Sequence, residues 1–144
     1  FFQWLEENDP LKKRTEKILR AITIKKQIVE ADEKELGLRR VLNFGHTLGH
    51  AVESATGLLH GECVAIGMLP FTAEADRERL KSLLQRFQLP TEADDQKEKI
   101  LENIKMDKKI TGIDITVVRV PQIGQYTLEK LSLEELIAQV KEAI

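Results

Sequence analysis

Apolar residues recur at helical spacing along most of this chain, and a β-branched run interrupts that pattern only near the C-terminal end. Phe2 to about Glu7 reads as a short amphipathic helix. Asp9-Pro10 is a helix start, with Asp as N-cap and Pro at the first helical position. The helix it opens runs to about Ala31, with Ile18, Ala21, Ile22, Ile28 and Val29 as its apolar stripe. Asp32 to Leu38 is a charged turn around Gly37, and a helix from about Arg40 to Thr56 follows, with Gly57 as its C′ stop. Gly61 to Leu69 predicts a small apolar helix that Pro70 ends.

Thr72 is placed to cap the next helix, whose Leu80, Leu83, Leu84 and Phe87 face a core, and Gln88-Leu89-Pro90 breaks it. Thr91-Glu92-Ala93-Asp94 resembles a capping box with Asp in place of Glu, and its helix extends to about Met106. Asp107-Lys108-Lys109 is expected to be a loop. The β-branched run Asp114 to Val120 reads as a strand, Pro121 to Gly124 as a turn, and Gln125 to Lys130 as the returning strand. Ser132-Leu133-Glu134-Glu135 is a capping box that opens a last helix. The fold class expected is therefore mainly α, a multi-helical single domain over residues 1–144 with one small β-hairpin near the C-terminus.

Composition narrows the partners. A charged fraction of 32% and a hydrophobic fraction of 42% are those of a globular protein. A net charge of −2 gives no reason to expect nucleic acid or an anionic membrane. No apolar run approaches the ~20 residues of a membrane span. The single cysteine, Cys63, excludes an internal disulfide, fits a reducing cytoplasm and reads as a small core residue. Trp4 and Phe44 read as packing residues. The first residues, Phe1-Phe2-Gln3-Trp4, carry no initiator Met, which suggests a fragment or a processed product and leaves a missing N-terminal domain open.

The chemistry concentrates in one place. All three histidines lie between positions 46 and 60: His46 and His50, four apart in Gly45-His46-Thr47-Leu48-Gly49-His50, and His60 in His60-Gly61-Glu62. Spacing i, i+4 stacks two imidazoles on one helix face. Gly45 and Gly49 lower helix propensity there, which implies a close approach to the backbone. The residues alone do not say which histidines bind metal and which serve as acid–base groups. The spacing departs from the His-Glu-x-x-His zinc motif, because positions 47–49 are Thr-Leu-Gly. A catalytic zinc takes three protein ligands, so a third is needed; Glu53, Glu62 or an acid from another domain are the candidates. Among the cations, Lys25, Arg39, Arg40, Lys108 and Lys109 are candidates for anion binding.

Three blocks then become familiar: Lys25 to Glu35, Gly37 to Glu53 with Asn43-Phe44-Gly45-His46-Thr47-Leu48-Gly49-His50 at its centre, and His60-Gly61-Glu62-Cys63-Val64-Ala65-Ile66-Gly67-Met68. Together with Met106-Asp107-Lys108-Lys109 they resemble the C-terminal half of 3-dehydroquinate synthase. The resemblance implies a carbon–oxygen lyase of the shikimate pathway and aromatic amino acid biosynthesis. That enzyme is a phosphate-eliminating cyclase that converts 3-deoxy-arabino-heptulosonate 7-phosphate to 3-dehydroquinate. It also implies a homodimer whose N-terminal domain binds NAD, with the active site in the cleft between the domains. Carried onto this sequence, His46 and His60 match the metal ligands for Zn²⁺ or Co²⁺, His50 a proton-transfer residue and Glu35 a proton acceptor. Lys25, Arg39, Asn43 and Lys108 match positions that bind the anionic sugar-phosphate substrate. There is no Gly-rich dinucleotide loop, so NAD falls to the absent domain and the chain alone is expected to be inactive. The segments between His50 and His60 and after Met68 are shorter than in many members. The alternatives are another sugar-phosphate cyclase of the superfamily, a metal-dependent alcohol or glycerol dehydrogenase, and a helical interaction domain whose histidines do no chemistry.

Overall fold

The structure, a computed structural model, describes residues 1–9, 12–93, 96–111 and 115–143, and for 107–111 and 143 the backbone alone. Pro10 of the expected helix start, Asp94 of the expected capping box and Asp114 of the expected strand lie outside these residues. The chain forms two compact units, Phe1–Leu42 and Asn43–Ile144. Among the described residues, no helix is long and apolar enough to cross a membrane.

The first unit holds α1 (Phe2–Glu7) and α2 (Arg14–Ala31). Helix α2 starts later than the Asp9-Pro10 signal suggests, because Lys13 occupies its N-cap with a left-handed φ of 55° that no α-helix propagates. Trp4 packs locally, with the Arg20 guanidinium 4.6 Å from its ring centre and Phe1 stacked on it at 6.1 Å. The apolar stripe expected on α2 is not a core face: Ile18 and Ile22 are 49% and 56% exposed, and none of its residues is buried. Local terms support the helix instead, among them the Glu16–Arg20 and Lys26–Glu30 pairs at i, i+4, each worth about 0.2–0.5 kcal/mol.

After α2 the charged turn is built on one carboxylate. Asp32 accepts the backbone N–H groups of Leu36, Gly37 and Arg39 at 2.9, 2.8 and 3.0 Å. Those three donors hold its carboxyl below the usual range, with the Arg39 amide foremost. The unfolded chain therefore binds the proton more readily, so the contribution of Asp32 is present above its unfolded value near 4 and is lost as pH falls through the lower folded value. The protection of the Leu36, Gly37 and Arg39 amides, taken as exchange relative to the intrinsic rate at each pH, is expected to fall below about pH 4, and Asp32→Asn to show the lower protection already at neutral pH. Protection indifferent to both acid and the substitution would remove Asp32 as the organiser of this turn.

In the second unit, Asn43 closes a 3-10 turn (Leu38–Asn43), and α3 (His46–Ala55), α4 (His60–Met68), α5 (Glu74–Arg86), α6 (Lys97–Thr111), β1 (Ile115–Arg119), β2 (Thr127–Leu131) and α7 (Leu133–Ala143) follow. The single helix expected from Arg40 to Thr56 is divided at Gly45, whose φ of +79° is open to glycine and costly for other residues. Thr56, extended at φ −118° and ψ 177°, ends α3 in place of a left-handed Gly57. Pro70 lies in a 3-10 turn (Leu69–Phe71) that closes α4.

Thr72 does not cap α5. It is 2% exposed and its hydroxyl donates to the Met68 carbonyl at 3.0 Å, while Ala73 takes the N-cap. The chain there pairs with Val120, through Val120 N–H to Phe71 O at 2.8 Å and Ala73 N–H to Val120 O at 2.9 Å. Helix α6 runs on through Asp107-Lys108-Lys109, the expected loop, because no Gly or Pro stops it before Gly112.

Strands β1 and β2 pair antiparallel from Ile115↔Leu131 to Arg119↔Thr127. The capping box at α7 forms as read, with Ser132 N–H on Glu135 Oε2 at 2.8 Å and Glu135 N–H on Ser132 Oγ at 3.2 Å. The core joins Leu48 and Val52 of α3, Cys63 and Ile66 of α4, Phe71, Ile100 and Ile104 of α6, Val117 of β1, and Leu136 and Val140 of α7. Each large apolar side chain buried there contributes about 1.5–3 kcal/mol.

Candidate metal centre

Helix α3 is two-faced. Leu48, Ala51, Val52 and Ala55 are buried, while His46, His50 and Glu53 follow one another at i, i+4 and i+7 along the other side. His60 opens α4, whose first turn is fixed when the Glu62 carboxylate accepts Leu59 N–H at 2.7 Å. That hydrogen bond gives Glu62 a helix-capping role.

The two helices meet backbone to backbone. A Cβ built on Gly49 would lie 3.2 Å from Val64 Cα, and one on Gly67 only 2.0 Å from the Gly45 carbonyl oxygen. The glycines that weaken helix propensity beside the histidines are thus explained, and the partner that comes close is α4. This approach brings His60 to the histidine face of α3.

The three imidazoles form one cluster. Ring centres lie 5.8 Å apart for His46–His50, 5.3 Å for His46–His60 and 5.6 Å for His50–His60. Glu53 sits against two of them, its Oε2 at 3.1 Å from His60 Nδ1 and 3.5 Å from His50 Nδ1. The His60 hydrogen bond is the main cause that holds the Glu53 carboxyl below the usual range, so Glu53 is an anion at neutral pH. The Nδ1 of His46 lies 3.2 Å from the Phe44 carbonyl oxygen.

Those acceptors decide the tautomers. A carbonyl oxygen and an ionised carboxylate only accept, so in the neutral rings the Nδ1 atoms of His46 and His60 carry the hydrogens and the Nε2 atoms keep lone pairs. This donor set suits a divalent ion. Zinc sits about 2.0–2.1 Å from an imidazole nitrogen, which places two rings on one tetrahedral ion with centres roughly 5 Å apart, close to the His46–His60 separation. Ligating histidines ordinarily give their other ring N–H to a carbonyl or carboxylate. A second grouping, His50, Glu53 and His60, places one donor atom of each within 4.8 Å of the others.

The remaining expected residues are distributed as follows. Asn43 is exposed and lies two residues before Gly45. Lys25, Glu35 and Arg39 belong to the first unit. Lys25 is exposed on α2, Arg39 Nη1 donates to the Glu33 carbonyl at 3.0 Å, and Glu35 holds a left-handed φ of 56° in the Asp32 turn. Lys108 and Lys109 have helical backbone, and their side chains lie outside the description. Cys63 is fully buried, its thiol pushed up by desolvation, as a core residue should be. The sequence named Glu53 as one of several acids near the histidines; its contact with both His50 and His60 follows from the His50-x-x-Glu53 spacing only once α4 is docked. The Phe44 carbonyl carries no signal in the sequence at all.

A cleft of about 220 Å³ adjoins His50, lined also by Thr47, Ser54, Asn103 and Leu136. Asn103 of α6 donates to the Ala51 carbonyl at 3.3 Å and ties α6 to the histidine helix.

Comparison with known proteins adds three findings. The family profile described as 3-dehydroquinate synthase C-terminal matches residues 1–110. The 3-dehydroquinate synthase of Thermoanaerobacter pseudethanolicus is 42% identical over 137 residues, an alignment covering 86% of this chain and 38% of that protein. The chain spans about two fifths of the length of the curated relatives it matches. Among solved structures, a 2-epi-5-epi-valiolone synthase from Streptomyces hygroscopicus subsp. jinggangensis, with NAD⁺ and Zn²⁺ bound, superposes with a TM-score of 0.67 at 22% identity, over 86% of this chain and 38% of that one. A 2-deoxy-scyllo-inosose synthase complexed with carbaglucose-6-phosphate, NAD⁺ and Co²⁺ gives 0.59 at 21% identity, over 76% of this chain and 36% of that one. At these identities the two structures share the fold.

Proposed function

The chain belongs to the 3-dehydroquinate synthase C-terminal family, and from that premise we propose that it is the metal- and substrate-holding half of a cytoplasmic 3-dehydroquinate synthase. In this reading a partner N-terminal domain supplies NAD and a third ligand, a homodimer is the working form, and this half alone does not turn over. The observation that carries it is the geometry of His46 and His60: their ring centres lie 5.3 Å apart, and each Nδ1 lies against an oxygen acceptor, the Phe44 carbonyl at 3.2 Å and the Glu53 carboxylate at 3.1 Å, which leaves Nε2 to bind.

A bound Zn²⁺ or Co²⁺ would acidify a substrate hydroxyl and orient it for oxidation. His46 and His60 would hold that ion. His50, one turn along α3 and exposed, moves a proton at an imidazole nitrogen. Glu35 accepts a proton. Lys25, Arg39 and Lys108 bind the carboxylate and phosphate of the substrate, with Asn43 as a neutral hydrogen-bonding partner. The relatives' name supports a heptulosonate phosphate as substrate. A cation set of this size suits a substrate with two anionic groups better than a sugar phosphate with one.

The test is a hybrid in which this chain replaces the matching C-terminal portion of the Thermoanaerobacter pseudethanolicus enzyme. With NAD⁺ and Zn²⁺, the hybrid is expected to release phosphate from 3-deoxy-arabino-heptulosonate 7-phosphate and not from glucose 6-phosphate, and this chain alone to release none. Release from glucose 6-phosphate only would assign the chain to a different sugar-phosphate cyclase. Full turnover by the isolated chain would overturn the half-enzyme reading.

A further inference from the structure

We propose that Glu53 is the positioning residue of this centre and not its third ligand: it holds Nδ1–H of His60 so that Nε2 faces the ion, as the Phe44 carbonyl does for His46. The inference rests on the His46–His60 reading above and adds a role for a carboxylate to it. Oε2 of Glu53 lies 3.1 Å from His60 Nδ1, a hydrogen-bonding distance for a ring N–H on a carboxylate. Its other imidazole neighbour, His50, is at 3.5 Å and stands on the same helix at i−3. Glu53 therefore bridges the two helices at the site, because His60 is the first residue of α4 and Glu53 lies in the last turns of α3.

The alternative is a ligand set of His50, Glu53 and His60. An ion taken between Glu53 and the facing Nδ1 atoms would break the His60–Glu53 hydrogen bond, expel the Nδ1 proton and leave out His46. With Glu53 behind His60, His46 and His60 have the same arrangement: Nδ1 on an oxygen acceptor, at 3.2 and 3.1 Å, with the Nε2 lone pair left for an ion. A carboxylate behind a ligating imidazole fixes its orientation and raises its basicity, and the loss of such a partner typically lowers metal affinity about 10–100-fold.

Two readouts test this, and one needs no metal. Long-range ¹H–¹⁵N spectra of the metal-free chain are expected to show His60 as the Nδ1–H tautomer. Glu53→Ala should convert it to Nε2–H, and Glu53→Gln, whose amide oxygen still accepts, should keep Nδ1–H. Co²⁺ titration should then show affinity lowered about 10–100-fold in Glu53→Ala and less in Glu53→Gln, with the visible bands of bound Co²⁺ unmoved in both. Far-UV circular dichroism and the melting midpoint establish that each variant is folded. A His60 tautomer that ignores Glu53→Ala overturns the proposal. Bands that shift in Glu53→Gln would make Glu53 a ligand, with the same consequence. If the tautomer responds as expected but the chain takes up no Co²⁺, the holding role of Glu53 stands and the metal-centre reading falls.

Discussion

Replacing His46 or His60 by alanine is expected to lower the affinity of this chain for Zn²⁺ by more than about 100-fold, because loss of a partner behind a ligand already lowers it about 10–100-fold. Each substitution removes one of the two Nε2 lone pairs that the Phe44 carbonyl and Glu53 leave available. His50→Ala, by contrast, should keep affinity within about tenfold, a change near 1.4 kcal/mol. Isothermal titration with Zn²⁺ measures all three. None of the positions belongs to the buried core of α3 or α4, so the folded state should survive and the binding loss can be read directly. The reverse pattern, with His50→Ala silencing binding and His46→Ala harmless, would move the ion to the His50–Glu53–His60 set. Equal and negligible effects at all three would leave the histidines as polar surface and overturn the metal-centre reading.

The largest stability effect is expected at Gly67. A Cβ there would sit 2.0 Å from the Gly45 carbonyl oxygen and 2.8 Å from Gly49 N, and both are backbone atoms that cannot rotate away. Overpacking against side chains typically costs 1–3 kcal/mol. Against rigid backbone Gly67→Ala is expected to cost about 3 kcal/mol or more, since α3 and α4 must separate to admit the methyl. For a domain of this size that corresponds to a fall in the melting midpoint of roughly 10 °C. Separated helices would also carry His60 away from Glu53 and His46, so Zn²⁺ affinity should fall in the same variant without any ligand being touched. Gly61→Ala is the control. It lies in the same helix with nothing within 4 Å of an added Cβ, and it should be neutral or stabilising by up to about 1 kcal/mol through helix propensity. Equal melting midpoints for the Gly67→Ala variant and the parent chain would refute the close-packed helix pair.

How much of this was legible beforehand follows from the range of the forces involved. The capping box at Ser132, the helices around Leu80–Leu84 and Leu133–Val140, and the β-branched hairpin depend on neighbours within a few residues, and their pattern announced them. So did the placement of His46 and His50 on one helix face. Errors came where a distant partner or a backbone twist overrode the local signal. Thr72 has the chemistry of a cap, but pairing of its strand-like backbone with Val120 turned its hydroxyl to Met68. Asp9-Pro10 has the chemistry of a helix start, but the chain turns left-handed at Lys13 first. The stripe on α2 has the right period and no core to face within its own unit.

By itself, the sequence determined most of the helices and the hairpin, though not the helical Asp107-Lys109 stretch or the break at Gly45, along with the gathering of all histidines within one short stretch and a need for close backbone approach at Gly45 and Gly49. Those properties reside in covalent spacing and in the conformational range of single residues. Only the tertiary structure decided what makes that approach, which is α4 through Gly67, and which ring nitrogen each outer histidine has free. The tautomers depend on acceptors that arrive by folding: the Phe44 carbonyl, turned by the left-handed Gly45, and the Glu53 carboxylate, reached by His60 across a helix pair. Hydrogen bonds of about 3 Å tolerate little displacement, so that choice is fixed by packing and is invisible in a list of residues.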